Sequence, residues 1–341
     1  MKRPTINDVA RAAGVSRGAV SYALNGRPGV SEATRRRILS AAEALGFHAD
    51  SAARALAGAP SRTVGLSLYR PASTLGVEPF FMELISGLEA ELSLRSYALL
   101  LHMVADRGQE AAVYRRWSRE RAVDGVLVCD LLEEDPRLPL LRELGLPTVV
   151  VGPPPVGGAV AGVWSDDAVS LREAVEYLAA LGHRRIGHVA GIPGLAHTRV
   201  RTDAFAALAR RLGLEVASCA YTDYTGPAGA RATRELLDVA DRPTALLYDN
   251  DIMAVAGLAA AQELGLSVPG DLSVVAWDDS PVCRIVHPAL TALTRDIPAY
   301  GRQAARLLLA AVDGRPAADV AAEVAHLTPR ASTAAPADGR P

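Results

Sequence analysis

Hydrogen-bond donors cluster in one short stretch near the start of the chain. Arg17 can donate two hydrogen bonds to the edge of a guanine, and Tyr22, about one helical turn later, can reach a base or a phosphate. Gly18 has no side chain, so it either lets the backbone approach a phosphate or leaves one base pair unread. These residue types at this spacing predict a helix that reads DNA in the major groove.

Two short helices joined by a glycine-bearing turn are predicted to position these donors. Thr5 can cap the first helix with Asp8 as its partner, and Gly14 ends that helix before Ser16 caps the second. The pattern is that of a helix-turn-helix. Candidate contacts that orient this unit on DNA without reading sequence are Thr5, Ser16, Ser21, Asn25, Ser31 and Thr34. Helix capping alone also explains Thr5, Ser16 and Ser31, and both roles can hold at once.

A third helix and a short hinge are predicted to follow. Ser31 caps a helix that runs to about Leu45, and Gly46 ends it. Residues 50–58 form one alanine-rich segment of about two turns, which is too short to be a stable helix alone in water. We interpret this segment as a hinge that folds on contact, followed by a linker at residues 60–61.

The charge distribution also favours DNA. Residues 1–58 hold nine Lys or Arg against four Asp or Glu, so this segment carries +5 and the rest carries −7 of a net −2. A basic patch neutralises phosphates and makes DNA affinity depend on salt. A solvated basic face is the alternative where no helix-turn-helix pattern accompanies it. Lys2 is the only lysine, which excludes a phosphate-loop lysine and lysine Schiff-base chemistry in the body of the chain.

Length and composition predict a globular protein of two or three domains. The chain has 341 residues, half of them hydrophobic, and no apolar run of membrane-spanning length. The start of the sequence does not resemble a secretory signal, so we expect a cytoplasmic protein without a membrane partner. Cys129, Cys219 and Cys283 are scattered, so we expect neither a disulfide nor a zinc site.

After residue 62, β-branched runs alternate with amphipathic stretches, which predicts an α/β core of two doubly wound parallel sheets behind an all-α head. The expected strands are 64–69, 97–104, 125–129, 148–151, 186–190, 215–220, 245–248 and 274–277. We expect a helix-turn-helix domain at 1–46, a hinge and linker at 47–61, a first lobe at 62–163 and 292–318, a second lobe at 164–291 and 319–333, and a disordered tail at 334–341.

Several motifs resemble the lactose/galactose repressor (LacI/GalR) family of bacterial regulators over nearly the whole chain. They are Asp8-Val9-Ala10, Ala13-Gly14-Val15-Ser16, Val20-Ser21, Leu24-Asn25, Tyr248-Asp249-Asn250-Asp251 and Trp277-Asp278-Asp279. The resemblance implies a periplasmic-binding-protein-like core and a homodimeric transcription factor, controlled by a small-molecule effector, that binds a pseudo-palindromic operator. The tail lacks a heptad-patterned helix, so we expect a dimer rather than a tetramer.

The resemblance also assigns roles near the DNA. The specificity positions of the family correspond to Arg17, Gly18 and Tyr22. Leu56, beside Arg54, corresponds to the hinge leucine that is wedged into a central base step from the minor groove. A leucine packed against the core is the alternative.

The effector site is expected beyond the carboxyl ends of the strands, in a cleft between the lobes. The candidate effector-binding residues are Tyr69, Phe80, Asp130, Arg201, Asn250, Trp277 and Asp278. Arg201, Asn250 and Asp278 can hydrogen-bond to neighbouring hydroxyls, and Trp277 can cover the apolar face of a sugar. An Arg201–Asp278 salt bridge beside a core tryptophan is the alternative, and Asp279 is expected to cap a helix. Residues 71–77 and Gly152 depart from the family pattern, which leaves the identity of the sugar or sugar derivative open.

Two other classes of function compete with a regulator. An enzyme needs a nucleophile with its base, a metal cluster or a cofactor loop, and the sequence offers no convincing set and no cofactor. His183 and His188 are expected to satisfy backbone groups rather than hold a metal. A secreted sugar-binding protein shares the two-lobed body but does not begin with a helix-turn-helix.

Overall fold

The computed structural model describes residues 4–24, 28–47, 60–70, 78–153 and 160–337. The α-helices are α1 Ile6–Ala13, α2 Arg17–Leu24, α3 Glu32–Ala44, α4 Pro79–Leu92, α5 Arg107–Glu120, α6 Arg137–Glu143, α7 Asp167–Ala180, α8 Ala196–Leu212, α9 Gly226–Leu237, α10 Asp251–Glu263, α11 Pro281–Ile285 and α12 Ile297–Val312. The strands are β1 Thr63–Tyr69, β2 Ala98–Val104, β3 Gly125–Cys129, β4 Thr148–Val151, β5 Gly162–Trp164, β6 Arg185–Ala190, β7 Val216–Tyr221, β8 Ala245–Tyr248, β9 Ser273–Trp277, β10 Thr291–Thr294, β11 Val320–Ala321 and β12 His326–Thr328.

The head is a helix-turn-helix followed by a third helix, as predicted. Val9, Val20 and Ile38, one from each of α1, α2 and α3, are fully buried and form its small core. Gly14 ends α1 with φ of 61°, a left-handed conformation that glycine adopts without strain. Helix α2 therefore packs through one face, with Val20 and Ala23 buried, and leaves the opposite face outward.

In the described part of the core there are two six-stranded sheets, which confirms the predicted two-lobed α/β fold. The first has the order β11-β5-β4-β3-β1-β2 with every pair parallel. The second has the order β12-β10-β9-β8-β6-β7, and only β12 runs antiparallel to its neighbour. Because the remaining strands of each sheet are parallel, their carboxyl ends meet at one edge, where a ligand cleft is expected.

The chain crosses between the lobes at positions that differ from the expected boundaries. β10 belongs to the second sheet although residues 292–318 were expected in the first, because it pairs with buried β9. β11 belongs to the first sheet although residues 319–333 were expected in the second, because it pairs with β5, and Asp319 accepts a hydrogen bond from the backbone N–H of Gly162 at 2.8 Å.

Ala334, the first residue of the expected disordered tail, is ordered against the second lobe. Composition predicted disorder from residue 334 onward, but the carbonyl of Ala334 lies 2.9 Å from His183 Nε2, and its backbone N–H donates to Ser273 Oγ at 3.1 Å. Ala334 is thus part of the second lobe, and residues 338–341 lie outside the described residues.

Close packing of α4 against α12 fixes one wall of the first lobe. A Cβ at Gly87 would lie 2.0 Å from the carbonyl oxygen of Pro298, and one at Gly301 would lie 2.4 Å from that of Leu84. Both positions therefore require glycine, and the contact places Tyr300 of α12 with its hydroxyl donating to the carbonyl of Val163 at 2.7 Å. No helix among the described residues is long and apolar enough to cross a bilayer.

Candidate DNA-reading helix and interlobe cleft

The predicted caps of the head are formed by the expected side chains. The backbone N–H and the hydroxyl of Thr5 both donate to the Asp8 carboxylate, at 2.9 and 2.7 Å. Ser16 Oγ accepts from the N–H of Ala19 at 3.2 Å, and Ser31 Oγ accepts from the N–H of Thr34 at 3.3 Å. These three residues are exposed, so capping leaves them accessible to a phosphate as well.

The outward face of α2 carries the predicted reading residues. Arg17 and Gly18 are exposed, Tyr22 is 46% exposed, and Ser21 is half-buried. Asn25, Arg54 and Leu56, which complete the predicted DNA-binding set, lie outside the described residues. The outward face of α2 therefore presents the guanidinium of Arg17, the phenol of Tyr22 and the backbone of Gly18, groups that could contact a DNA groove.

A cleft lies between the two lobes, with about 750 Å³ of empty space including its open mouth. Its lining residues are Arg70, Glu78, Phe80, Phe81, Cys129, Asp130, Val151, Gly152, Pro153, Ser165, Asp167, His197, Arg201, Tyr224, Asp249, Asn250, Asp251, Asp278, Arg295 and Tyr300. Both lobes contribute, and several of these residues directly follow a strand. The cleft therefore lies at the predicted edge of the sheets.

Two of the seven predicted effector residues lie away from this cleft. Phe80, Asp130, Arg201, Asn250 and Asp278 line it, whereas Tyr69 and Trp277 do not. The ring of Tyr69 lies beneath the Arg107 guanidinium, 4.9 Å from ring centre to carbon. Trp277 has no exposed surface and is part of the second-lobe core, so it cannot cover a sugar face. Both residues were chosen because they lie at the carboxyl end of a strand, which we call the strand-end rule. This rule does not give the direction of a side chain, since alternate residues of a strand point to opposite faces of the sheet.

Arg201 is the centre of a buried network on the second-lobe side. Its Nε donates to Asp167 at 2.8 Å and its Nη1 donates to the carbonyl of Asp249 at 3.2 Å. The guanidinium lies 3.7 Å from the ring centre of Trp277, so this tryptophan supports the arginine from below. The expected alternative, a salt bridge from Arg201 to Asp278, is not formed, because Asp278 pairs with Arg295 at 3.2 Å.

A histidine and a carboxylate extend this network into the core. His188 Nε2 lies 2.9 Å from Asp249 Oδ1, and both side chains are fully buried. Burial would raise the pKa of Asp249, but His188 and Arg201 outweigh it and lower this pKa to about 2. Burial would likewise lower the pKa of His188, but Asp249 raises it to about 9. The pair is therefore a buried ion pair at neutral pH.

A second network, of Arg70, Glu78 and Asp130, lies on the first-lobe side. Arg70 approaches Asp130 at 2.7 Å and Glu78 at 3.3 Å, and its side chain is only 5% exposed. Burial raises the pKa of Glu78 to about 7. Burial also acts to raise the pKa of Asp130, but Arg70 together with other nearby cations holds it below its usual value. One arginine thus pairs with two carboxyl groups of different basicity.

Asn250 and Tyr224 join the second-lobe wall to its helices. Asn250 Oδ1 accepts from the N–H of Met253 at 2.8 Å and caps α10, while its Nδ2 donates to the carbonyl of Tyr224 at 3.0 Å. The Tyr224 hydroxyl lies 2.8 Å from His197 Nε2. Each amide atom of Asn250 retains one further bonding position, so Asn250 can still serve a ligand.

Most of the charged lining was missed by reasoning from the sequence. The missed polar residues are Arg70, Glu78, Ser165, Asp167, His197, Tyr224, Asp249, Asp251, Arg295 and Tyr300. Arg70 and Asp249 directly follow β1 and β8, so the strand-end rule could have found them. Asp167 and Arg295 lie in segments that cross between lobes, where no periodic pattern marks the direction of a side chain.

The lobes touch directly beside the cleft. The backbone N–H of Ala196, the first residue of α8, donates to the carbonyl of Leu131 at 2.7 Å, and Leu132 bridges to Leu195. Arg199 and Glu133 form an exposed ion pair at 3.1 Å next to this contact. These contacts join the loop after β3 to the start of α8.

The remaining candidates have structural partners. His183 bonds to Thr244 at 2.8 Å and to the carbonyl of Ala334, and within the described residues no group of histidines, cysteines and carboxylates could hold a metal. Asp279 was expected to cap a helix, but Ser280 is the N-cap of α11. Asp279 instead accepts from Arg330 at 2.6 Å, because its side chain points to the closing segment of the chain.

Comparison with known proteins identifies the family. The description "Bacterial regulatory proteins, lacI family" matches residues 5–50, and "Periplasmic binding protein-like domain" matches residues 175–333. The chain is 34% identical over 318 residues to the HTH-type transcriptional regulator CelR of Thermobifida fusca, which covers 92% of this chain and 93% of the relative. The chain belongs to the LacI family. This LacI-family protein is also 31% identical to the HTH-type transcriptional repressor CytR of Escherichia coli K12, over 91% of this chain and 90% of that one.

A solved structure of a relative supports the same assignment for this LacI-family protein. The complex of the transcriptional regulator CelR with cellobiose matches at a TM-score of 0.74 and 32% identity, over 97% of this chain and 100% of the other. The predicted family, fold and class of DNA-binding regulator are thereby confirmed, and the prediction that the chain is a regulator rather than an enzyme is confirmed by the names of its relatives.

Proposed function

We propose that this LacI-family protein is a homodimeric repressor whose affinity for a pseudo-palindromic operator is controlled by a sugar or sugar derivative bound between the core lobes. The observation that carries the proposal is the convergence of polar side chains from both lobes on one cleft. A ligand held by both lobes has a different affinity for each lobe arrangement, and this difference is what shifts a conformational equilibrium.

The chemistry of the cleft suits a hydroxylated ring. Carboxylates and arginines line it together with Phe80 and Tyr300, and these are groups that hydrogen-bond to hydroxyls and pack against an apolar sugar face. The related regulator CelR has been solved with cellobiose, a disaccharide, which supports the same class of ligand here.

The head is proposed to deliver the output. In a symmetric dimer two copies of α2 enter successive major grooves, and Arg17 reads a base while the caps at Thr5, Ser16 and Ser31 orient the backbone. The roles proposed for Arg54 and Leu56 in the hinge rest on the family resemblance alone, since these residues lie outside the described part of the chain.

Selection of DNA from a random duplex pool by the full chain tests the DNA-binding half of this proposal. We expect an inverted repeat, because a two-fold dimer presents its heads to half-sites of opposite orientation. Arg17→Ala should relax one position in each half-site and weaken binding by about 1–3 kcal/mol. Arg11→Ala, on the exposed side of α1, is the matched control and should leave the selected sequence unchanged.

Sedimentation of the same sample tests the assembly. We expect twice the 35.7 kDa mass of the chain. A mass of four chains, or a selected site without inverted symmetry, would contradict the dimer proposal.

A sugar-binding protein without a regulatory role is the second candidate, since the two-lobed cleft alone can serve that function. The exposed face of α2 with Arg17 argues against it. Recovery of no preferred sequence from the pool, together with saturable sugar binding, would favour this alternative.

A further inference from the structure

The three arginines among the described residues of the cleft lining are already paired with carboxylates of the protein. Arg70 is held by Asp130 and Glu78, at 2.7 and 3.3 Å. Since its side chain is also packed at 5.4 Å from the ring of Phe81, its guanidinium has little freedom to turn toward a ligand.

The other two arginines are engaged in the same way. Arg201 Nε lies 2.8 Å from Asp167, and its guanidinium lies over Trp277. Arg295 Nε lies 3.2 Å from Asp278, and its guanidinium lies 5.4 Å from the ring centre of Phe80. These two arginine side chains are only 6% and 8% exposed, and each positive charge is paired with a carboxylate of the protein.

Carboxyl groups outnumber the cations around the cleft. The lining acids are Glu78, Asp130, Asp167, Asp249, Asp251 and Asp278, against three arginines of the described lining and the His188 side chain that pairs with Asp249. Asp251 is 2% exposed, has no cationic partner among the described residues, and leaves one carboxylate oxygen without a hydrogen bond there. An ionised carboxylate only accepts hydrogen bonds, so an anionic ligand group would lie beside acceptors that repel it.

The titration of the lining groups does not reverse this balance near neutral pH. Burial lowers the pKa of His197 to about 4, so this histidine adds no positive charge. Burial raises the pKa of Glu78 to about 7 and that of Asp251 to about 6, which reduces the negative charge without making the cleft cationic.

We infer that the cleft selects an uncharged, hydroxyl-rich ligand and excludes phosphorylated or carboxylated sugars, with the Arg70–Glu78–Asp130 cluster as the main determinant of this selection. The inference rests on the proposed function, since it specifies the ligand of the same cleft. Sugar hydroxyls donate charge-assisted hydrogen bonds to carboxylate oxygens. A phosphate would instead lie against those carboxylates, and each guanidinium it could reach is already paired with one of them.

Matched pairs of ligands test this selection in the full-length protein. Glucose, trehalose and cellobiose are each titrated by calorimetry beside their 6-phosphates. Where the neutral member binds, we expect its phosphate to bind at least about 100-fold more weakly, because like charges are brought together. Tighter binding of any phosphate than of its neutral partner would overturn the inference and leave the regulator proposal standing.

A second arm needs no knowledge of the natural ligand. Inorganic sulfate is titrated, at matched ionic strength, into three proteins. These are the wild type, a double variant that combines Glu78→Gln with Asp130→Asn, and a single variant with Asp130→Asn alone. Asp130 has φ of 52°, a left-handed conformation that asparagine also adopts, so the single change adds little backbone strain. We expect the variants to bind sulfate saturably and to gain several degrees in melting temperature, because Arg70 is released.

The control carries the same change of charge on the surface. Glu89→Gln with Asp238→Asn alters two exposed acids outside the cleft and should respond to sulfate as the wild type does. Two results would show that paired arginines do not exclude anions. One is saturable binding of sulfate by the wild type that is lost in the Arg70→Met variant. The other is that sulfate raises the melting temperature of neither cleft variant. Unchanged DNA selection in these variants would separate that failure from a failure of the proposed function.

Discussion

At the scale of single residues, the buried pair of His188 and Asp249 makes stability depend on pH. The pKa of His188 is raised to about 9, so the folded state holds its proton more tightly than the unfolded chain does. The stabilisation is complete below an unfolded pKa of about 6.5 and is lost as pH rises through about 9, on the order of 3 kcal/mol in all.

Chemical unfolding from pH 6.5 to 9.5 checks this expectation. His188→Gln should flatten the decline, because the titrating ring is removed, while His326→Gln, an exposed histidine beside Glu173, should keep it. An equal slope in both variants would show that His188 is not the titrating group.

The sequence predicts the contacts of single residues less well than it predicts the helices and strands. Phe80, Asp130 and Arg201 were found because they follow strand ends or match the family motif, and each lines the cleft. Trp277 was misplaced because residue type and strand position do not say which face of β9 the ring occupies. Arg201 and Asp167 lie on two different helices and are 34 positions apart in the sequence, so no local pattern predicts their contact.

At the scale of elements, the contact between the start of α8 and the loop after β3 is expected to control how the lobes close. Ala196→Pro removes the N–H that donates to Leu131 but suits the first turn of a helix, where proline is tolerated. We expect a shift in melting temperature below about 3 °C, since the lost hydrogen bond contributes about 1 kcal/mol.

Hydrogen exchange provides the deciding measurement for this contact. Amides of residues 131–135 and of the first turn of α8 should exchange faster in Ala196→Pro, whereas Ala196→Ser, which keeps the N–H, should match the wild type. The contrary result is a fall in melting temperature well beyond the expected shift, with unchanged exchange of the amides of residues 131–135. It would show that this hydrogen bond does not hold the lobes together.

Most of the larger elements could be predicted, because the helices are amphipathic and the central parallel strands are β-branched runs buried on both faces. The expected strand at 125–129 and the observed β3 coincide, and β1 differs from its prediction by one residue. Four strands were missed, namely β5, β10, β11 and β12, since segments of two to four residues give little pattern. The pairing partners of β5 and β11 also come from segments far apart in the sequence. The boundaries between lobes were displaced for the same reason.

At the scale of the whole molecule, the cleft is the input and the head is the output of one proposed switch. They are joined through residues 48–59, which lie outside the described part of the chain, so the coupling is inferred from the proposed function rather than from a contact. Coupling of this kind is a free energy between two sites, and it is measurable as a change in one affinity when the other site is filled.

Operator affinity, measured by fluorescence anisotropy with the selected inverted repeat, tests this coupling most directly. The titration is made with and without the neutral saccharide that raises the melting temperature most. We expect the saccharide to change operator affinity by about 5- to 150-fold in the wild type, and Phe80→Ala to lose this response while binding the operator normally without sugar. A saccharide that stabilises the core and leaves the operator affinity of the wild type unchanged would contradict the proposed switch.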